Sequence, residues 1–554
     1  MKPIRFRHTL SALALAAVLA GCSSAAGTTT TDTASADSST EVSAAVAASV
    51  GTSTADALAA NEAATDEETP DVSGAVDVDL SSGTGADGVG VDDGTVTITA
   101  GGTYRLTGTL AGQVVVQTDG AVTLVLDGAD ITSATTSALA VMAAESAVVV
   151  LAEGSVNSLT DATSYASADE EPNAALYSAA DLTITGTGAL TVTGNSNDGI
   201  AGKDALVVSS GTITVDAVDD GIRGKDLLVV RDGTITVTAG GDGLKADNAE
   251  DATAGYVHLA GSTVDVTAGA DGVQAATDVI VDGGTLDVVA GGGSSATVAE
   301  DASAKGLDGD VSVVVGGGTV TVDAADDAIN SNGAVSVQAG VLTLASGDDG
   351  VHADTDLTIA GGTVTVTGAY EGLESAAVTV AGGDAFAAQE GVLLTISGGT
   401  LVVDSGGDGL DSNGSATMTG GTVTVSGPTQ AGNGALDVNG TFDVSGGTLL
   451  AAGSSGMLVS PSTDSAQGWV TAVLDTTAPA GSEVAVVAAD GTVVGTAVVT
   501  KDAQSVVFSA AGVTAGETYT VTVDGTGAGS ATAGEAAAGG GMAGGRMGGP
   551  RPTN

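Results

Sequence analysis

One short phrase returns at a fixed interval. Asp198-Gly199-Ile200, Asp220-Gly221-Ile222 and Asp242-Gly243-Leu244 stand 22 residues apart. The mark recurs at Asp271-Gly272-Val273, Asp349-Gly350-Val351 and Asp408-Gly409-Leu410. Variants stand at Lys305-Gly306-Leu307, Asp327-Ala328-Ile329, Glu371-Gly372-Leu373 and Asn433-Gly434-Ala435. From Lys305 through Asp327 and Asp349 to Glu371 every step is again 22. A period this short cannot enclose a globular unit, so each repeat must bury its apolar face against its neighbours.

Seven and five residues before the marks stand apolar pairs: Ile213/Val215, Ile235/Val237, Val264/Val266, Val320/Val322, Leu342/Leu344, Val364/Val366 and Leu401/Val403. Threonine fills most positions between and before them. This is the period-two pattern of a strand with one buried face, in residues that suit strands. The 86 glycines oppose helix. About 22 residues can hold three short strands and three bends, and turns stacked about 4.8 Å apart form an all-β parallel β-helix. A tandem of β-sandwich domains would need about 100 residues per unit.

Lys2, Arg5 and Arg7 precede the apolar run Leu10–Ala20, which is too short for a lasting membrane span. The run ends in Leu19-Ala20-Gly21-Cys22, which resembles a bacterial lipobox. Residues 1–21 therefore read as a lipoprotein signal peptide, with lipid on Cys22, the one cysteine in the chain. Secretion across the cytoplasmic membrane and anchoring at the cell surface are expected, without disulfides. Residues 22–75, dominated by Ala, Ser and Thr, read as a flexible tether. Residues 76–460 read as the β-helix and 461–524 as a small β module capping its open edge. Residues 525–554 read as a disordered Gly/Ala-rich tail.

The formal net charge of −55 excludes nucleic acid as a partner, because that role needs clustered Lys and Arg. Membrane contact is expected through the lipid anchor only. The histidines, His8, His258 and His352, are too few for a histidine-rich zinc centre. No nucleophile elbow stands between a strand and a helix, and no P-loop is present.

One acid per repeat stacks carboxylates about 5 Å apart. Neighbours then repel by roughly 3–4 kcal/mol at an effective dielectric of about 20. Hard cations relieve this, and calcium accepts about six to eight oxygens with tolerant geometry. The candidate calcium ligands are Asp198, Asp220, Asp242, Asp271, Asp327, Asp349, Glu371 and Asp408, with Asp204 and Asp226 as a second set six residues on. Asp-Gly also makes a bend. Asn would serve a bend equally, yet an acid stands at eight of the ten marks.

The runs Asp198–Asp204, Asp220–Asp226 and Asp242–Asp247, with Leu182–Val192, Ala152–Asn157, Gln504–Phe508 and Gly516–Tyr519, resemble a bacterial carbohydrate-binding-domain family. The resemblance implies a pectate-lyase-like, right-handed parallel β-helix with bound calcium. It also implies binding, rather than cleavage, of plant cell-wall polysaccharide, either cellulose or acidic pectic glycan. By position it assigns calcium to Asp198, Asp220, Asp242 and Asp271, helped by Asp204 and Asp226. Lys305 and Asn433 depart from the pattern.

Three functions follow as expectations. The first is a non-catalytic polysaccharide binder, with a polygalacturonate-like glycan bridged through calcium or cellulose as the ligand. The second is a calcium-dependent polysaccharide lyase, whose base would come from Lys203, Lys225, Arg223 or Lys245. The third is a structural surface protein or adhesin.

Overall fold

Three parallel ladders carry the repeat. The widest is built of six-residue strands such as Thr212–Ala217, Thr234–Ala239 and Thr263–Ala268, exposed and buried in strict alternation. Ile213, Ile235, Val264 and Leu286 lie in register on its inner side and are almost wholly buried. A middle ladder contains Leu227–Val230, Tyr256–Leu259 and Asp278–Val281. A short ladder contains Ile222–Gly224, Leu244–Ala246 and Val273–Ala275, each with its central residue half-exposed. The computed structural model describes residues 51–65, 70–82, 85–165, 171–299, 302–377 and 387–537. The expected signal segment, Cys22 and residues 538–554 lie outside them.

The short ladder is a 15-stranded sheet. The wide and middle ladders merge near the first repeats, where Val122–Thr132 pairs with both Ala147–Leu151 and Val156–Thr160. The result is an all-β solenoid with long parallel sheets. Stacked columns of Val, Ile and Leu form one continuous core.

The glycine of each mark is set by close approach. A Cβ on Gly243 would stand 2.2 Å from Val266 Cγ1 and 2.6 Å from Gly272 O. Its φ is not left-handed, so a bend alone would accept alanine there. Gly243→Ala is expected to lower stability by about 1–3 kcal/mol through overpacking. Gly90→Ala, whose Cβ meets nothing within 4 Å, is the control. Equal thermal melts for the two variants would contradict this account.

Both ends differ from expectation. Residues 51–65, placed by composition in the flexible tether, fold on the middle ladder. A helix, Thr54–Ala60, is capped by Ser53, whose hydroxyl accepts from Asp56 N at 3.1 Å. A helix of seven residues is marginal alone, so docking supplies its order. Ala57 is buried with Val207, Leu227, Val229, Tyr256, Ile280 and Val314, which would otherwise leave an apolar outer face exposed. The Tyr256 hydroxyl donates to Glu62 O at 2.7 Å, and Asn61 Nδ2 donates to Asp278 Oδ2 at 2.6 Å.

At the other end, Ala503–Ser509 pairs antiparallel with Thr448–Gly453 and Trp469–Ala478, closing the edge of the wide ladder. A four-stranded antiparallel sheet completes the cap around a second core. Its last strand, Thr526–Thr532, lies inside the expected disordered tail. Asp524 and Gly525, both at positive φ, turn the chain back onto Thr518–Val523.

Candidate functional site

The acids of the marks clamp one repeat to the next. Asp220 Oδ1 accepts from Asp242 N at 2.9 Å, and Asp242 Oδ1 accepts from Asp271 N at 3.0 Å. Asp271 Oδ1 accepts from Lys305 N at 2.7 Å, and its carboxylate also takes the Ser303 hydroxyl. Asp327 Oδ1 accepts from Asp349 N at 2.9 Å, and Asp408 Oδ1 from Gly434 N at 2.6 Å. Asp198, Asp220, Asp242, Asp271, Asp327, Asp349 and Asp408 are all buried. Asp220, Asp242, Asp271, Asp327 and Asp408 each hold one oxygen on the backbone of the next repeat and leave the other for side chains, whereas Asp349 Oδ1 meets no donor.

What those outer oxygens meet is set three residues later. There the central residue of each short strand forms an outward column. In register it reads Tyr177, Ala201, Arg223, Lys245, Gln274, Asp308, Asn330, His352, Glu374, Asp411 and Asp437. The column changes sign along the solenoid, from basic in the early repeats to acidic in the late ones.

In the early repeats, side-chain cations fill the space between carboxylates. Arg223 Nε lies 3.2 Å from Asp198 Oδ2, and its Nη1 lies 3.2 Å from Asp247 Oδ2. Lys245 Nζ lies 3.1 Å from Asp220 Oδ2 and 2.6 Å from Asp242 Oδ2. Burial, only partly offset by Arg223, pushes the Asp198 carboxyl up to about 7. Burial likewise lifts Asp271 to about 6.

Beside this end lies a cavity of about 220 Å³ whose lining includes Glu171, Asn173, Tyr177, Lys203, Arg223 and Lys225. Lys203 pairs with Glu171 at 2.5 Å. Among the described residues the Lys225 ammonium makes no ion pair. The buried Tyr177 hydroxyl makes no hydrogen bond of normal geometry. Burial first, then Glu171, raises its pKa, so it remains a donor.

In the late repeats no lysine or arginine occupies the column. Asp326, Asp327 and Asp348 bring ligand oxygens within 4.8 Å of one another, as do Glu371, Glu374 and Asp411. A third group within the same span is Asp349, His352 and Glu374. Burial, then the Asp326 charge, lifts Asp327 to about 7. Burial holds Asp349 and Asp411 well above the usual carboxylate range, with Asp327 adding to the first and Glu371 to the second. Burial alone would pull His352 down, but Asp349 and Glu374 outweigh it and raise the ring to about 11.

The sequence-expected residues thus divide. Asp327, Asp349 and Glu371 enter the late clusters. Asp198, Asp220 and Asp242 face side-chain cations. Asp271 is engaged by Lys305 N and Ser303, and Asp408 by Gly434 N. Asp226 accepts from Asn248 Nδ2 at 2.6 Å, and Asp204 is exposed. His352, Glu374 and Asp411 were not among them. Their signal was the position three after the mark, already visible in the match of Arg223 with Lys245.

The family model of carbohydrate-binding domain-containing proteins matches residues 92–350 and 332–432. Over 142 residues the chain is 46% identical to a carbohydrate-binding domain-containing protein of Acetivibrio thermocellus, covering 25% of this chain and 50% of that one. The chain thus spans about half the length of the curated relative it matches. Among solved structures it is similar to a polysaccharide lyase-like protein from C. thermocellum, a gadolinium derivative. That likeness has 32% identity and a TM-score of 0.35, over 44% of this chain and 92% of the other. With the two family segments together reaching across more than half its residues, the chain belongs to the family of carbohydrate-binding domain-containing proteins.

Proposed function

We propose that the chain is a non-catalytic polysaccharide-binding protein, lipid-anchored through Cys22 at the cell surface, whose ligand is an acidic glycan. The solenoid is read as right-handed, the hand favoured by parallel crossovers. The observation that carries the reading is the change of sign along the outward column. From Ala201 to Asp411 the register makes eight steps, or about 38 Å at the strand spacing. A polyuronate laid along it meets Lys203, Arg223, Lys225 and the Tyr177 hydroxyl at one end.

At the other end its carboxylates meet acids, and a hard cation makes that contact favourable. The all-oxygen sets fit calcium: Asp326, Asp327 and Asp348 form one, and Glu371, Glu374 and Asp411 the other. Bound there, calcium supplies charge neutralisation and open positions for sugar carboxylates. The early marks, with Arg223 and Lys245 in place, need no such ion.

The lyase reading requires cation and base at one sugar. Lys225 stands four repeats before Asp327 in the register, about 19 Å away. Lys305, the nearer base, lies 3.6 Å from Asp326 Oδ2 and serves as its counter-charge. This separation favours binding without cleavage. Cellulose is the second polymer, but aromatics make up 2% of the chain and supply no stacking row along the column.

The test is depletion of the protein from solution by insoluble polygalacturonate and by cellulose, with calcium and with chelator. Polygalacturonate is expected to capture it in calcium, and Lys203→Ala with Lys225→Ala to weaken capture about tenfold. No unsaturated uronate should accumulate. Equal capture of polygalacturonate in chelator would overturn the calcium reading, and capture by cellulose alone the acidic-glycan reading.

A further inference from the structure

We propose that Asp349, His352 and Glu374 form a binding site for one divalent transition-metal ion, of the zinc and cobalt class, set apart from the all-oxygen sets beside it by its imidazole and sharing Glu374 with one of them. Asp349 and His352 stand on one repeat, and Glu374 lies opposite His352 on the next. His352 Nδ1 is 3.4 Å from Asp349 Oδ2 and 2.6 Å from Glu374 Oε2. Ligands about 2.1 Å from a tetrahedral ion stand roughly 3.4 Å apart. The first spacing already has this value, and the second needs a small opening of the Glu374 side chain.

Two observations beyond the acidity of the cluster point to an ion. The Asp349 carboxylate is 2% exposed, and its Oδ1 has no hydrogen-bond partner. A buried oxygen left without one is costly, and a cation taken by both oxygens of this carboxylate, with Oδ2 facing His352 Nδ1, supplies the missing partner. The second is the far side of the ring. His352 Nε2 lies 3.2 Å from Asp354 Oδ1, so Nδ1 faces the cluster while the other ring N–H donates to a carboxylate. That is the usual support for a metal-binding imidazole, which fixes both tautomer and ring orientation.

The imidazole decides the class of ion. Nitrogen donors suit zinc, cobalt and nickel, whereas oxygen-only sets suit calcium and magnesium. The competing arrangement is an imidazolium held by three carboxylates, which would bind no ion at Nδ1.

The two are separated by titrating the chelator-treated protein with cobalt(II) in excess calcium, following visible absorption and heat. One equivalent of cobalt should bind, with ligand-field bands that zinc abolishes. His352→Ala should weaken cobalt binding by at least 10-fold, while calcium binding persists. Asp354→Asn lies outside the ligand set and leaves the carboxylates in place. It should cost about 10-fold with an unchanged melt in chelator, which separates loss of the site from loss of folding. His258→Ala should have no effect. Absence of the cobalt bands, cobalt affinity unchanged in His352→Ala, or full displacement of cobalt by calcium would overturn the proposal.

Discussion

In chelator, the melting temperature of this protein is expected to fall as the pH is raised from about 4 to about 8. The carboxyls of Asp198 and Asp271 are lifted to about 7 and about 6 from an ordinary value of 3.8, burial being the largest cause in both. Between the ordinary and lifted values, the folded protein holds protons that the unfolded chain has released. Stability is then lost as pH rises through that window and levels off above it. For Asp198 alone the loss is on the order of 3–4 kcal/mol by pH 8. Asp327, also lifted to about 7, acts in the same direction. Calcium should raise the melt more at pH 8 than at pH 5, because the carboxylates that hold it are ionised there. A flat profile in chelator, or one that rises with pH, would show that the ladder is already compensated without added ions.

This behaviour follows from a conflict inside each mark. One carboxylate oxygen is needed to clamp the next repeat, as between Asp220 and Asp242 N, and that fixes the group in a buried place. Its charge must then be met by something outside. The early repeats use Arg223 and Lys245, and the late ones offer only Lys305 at Asp326 and His352 between Asp349 and Glu374 against a larger number of acids. The same structural device therefore produces a closed ion-pair network at one end and cation-fitting clusters at the other.

The wide ladder was legible because its alternation is local: Ile213 and Val215 point inward while Thr212 and Thr214 point out. The middle ladder was less so. Leu227–Val230 is buried on both sides, and no alternation survives when a docked helix covers the outer face. That helix was itself hidden, since Ala- and Ser-rich composition resembles a linker and its order comes from contacts more than 140 residues away. The clamp role of the marks was also invisible locally, because its hydrogen bonds join residues 22 or more apart. Following the outward column required register across the excursions after Ala290 and Ser375, where the period breaks. One slip shows the difficulty. Leu410 pairs with Leu436, so Gly434 rather than Asn433 stands opposite Asp408.

Arg223→Met is expected to destabilise the protein by about 3 kcal/mol and to weaken polyuronate capture as well. The guanidinium is the counter-charge of Asp198, which is 2% exposed, and removing one member of such a pair leaves the other buried and uncompensated. Asp198 then keeps its hydrogen bonds but no counter-charge, with the like charges of Asp219 and Asp220 beside it, so the loss should be larger at pH 8 than at pH 5. Adding Asp198→Asn removes the stranded charge and should restore most of the melting temperature. It cannot restore capture, because the cavity beside Tyr177 still lacks its guanidinium. A double variant that recovers both would mean that Arg223 acts on the glycan only through the stability of its repeat. A double variant that recovers neither would mean that the Arg223 side chain matters for packing its repeat beyond its charge.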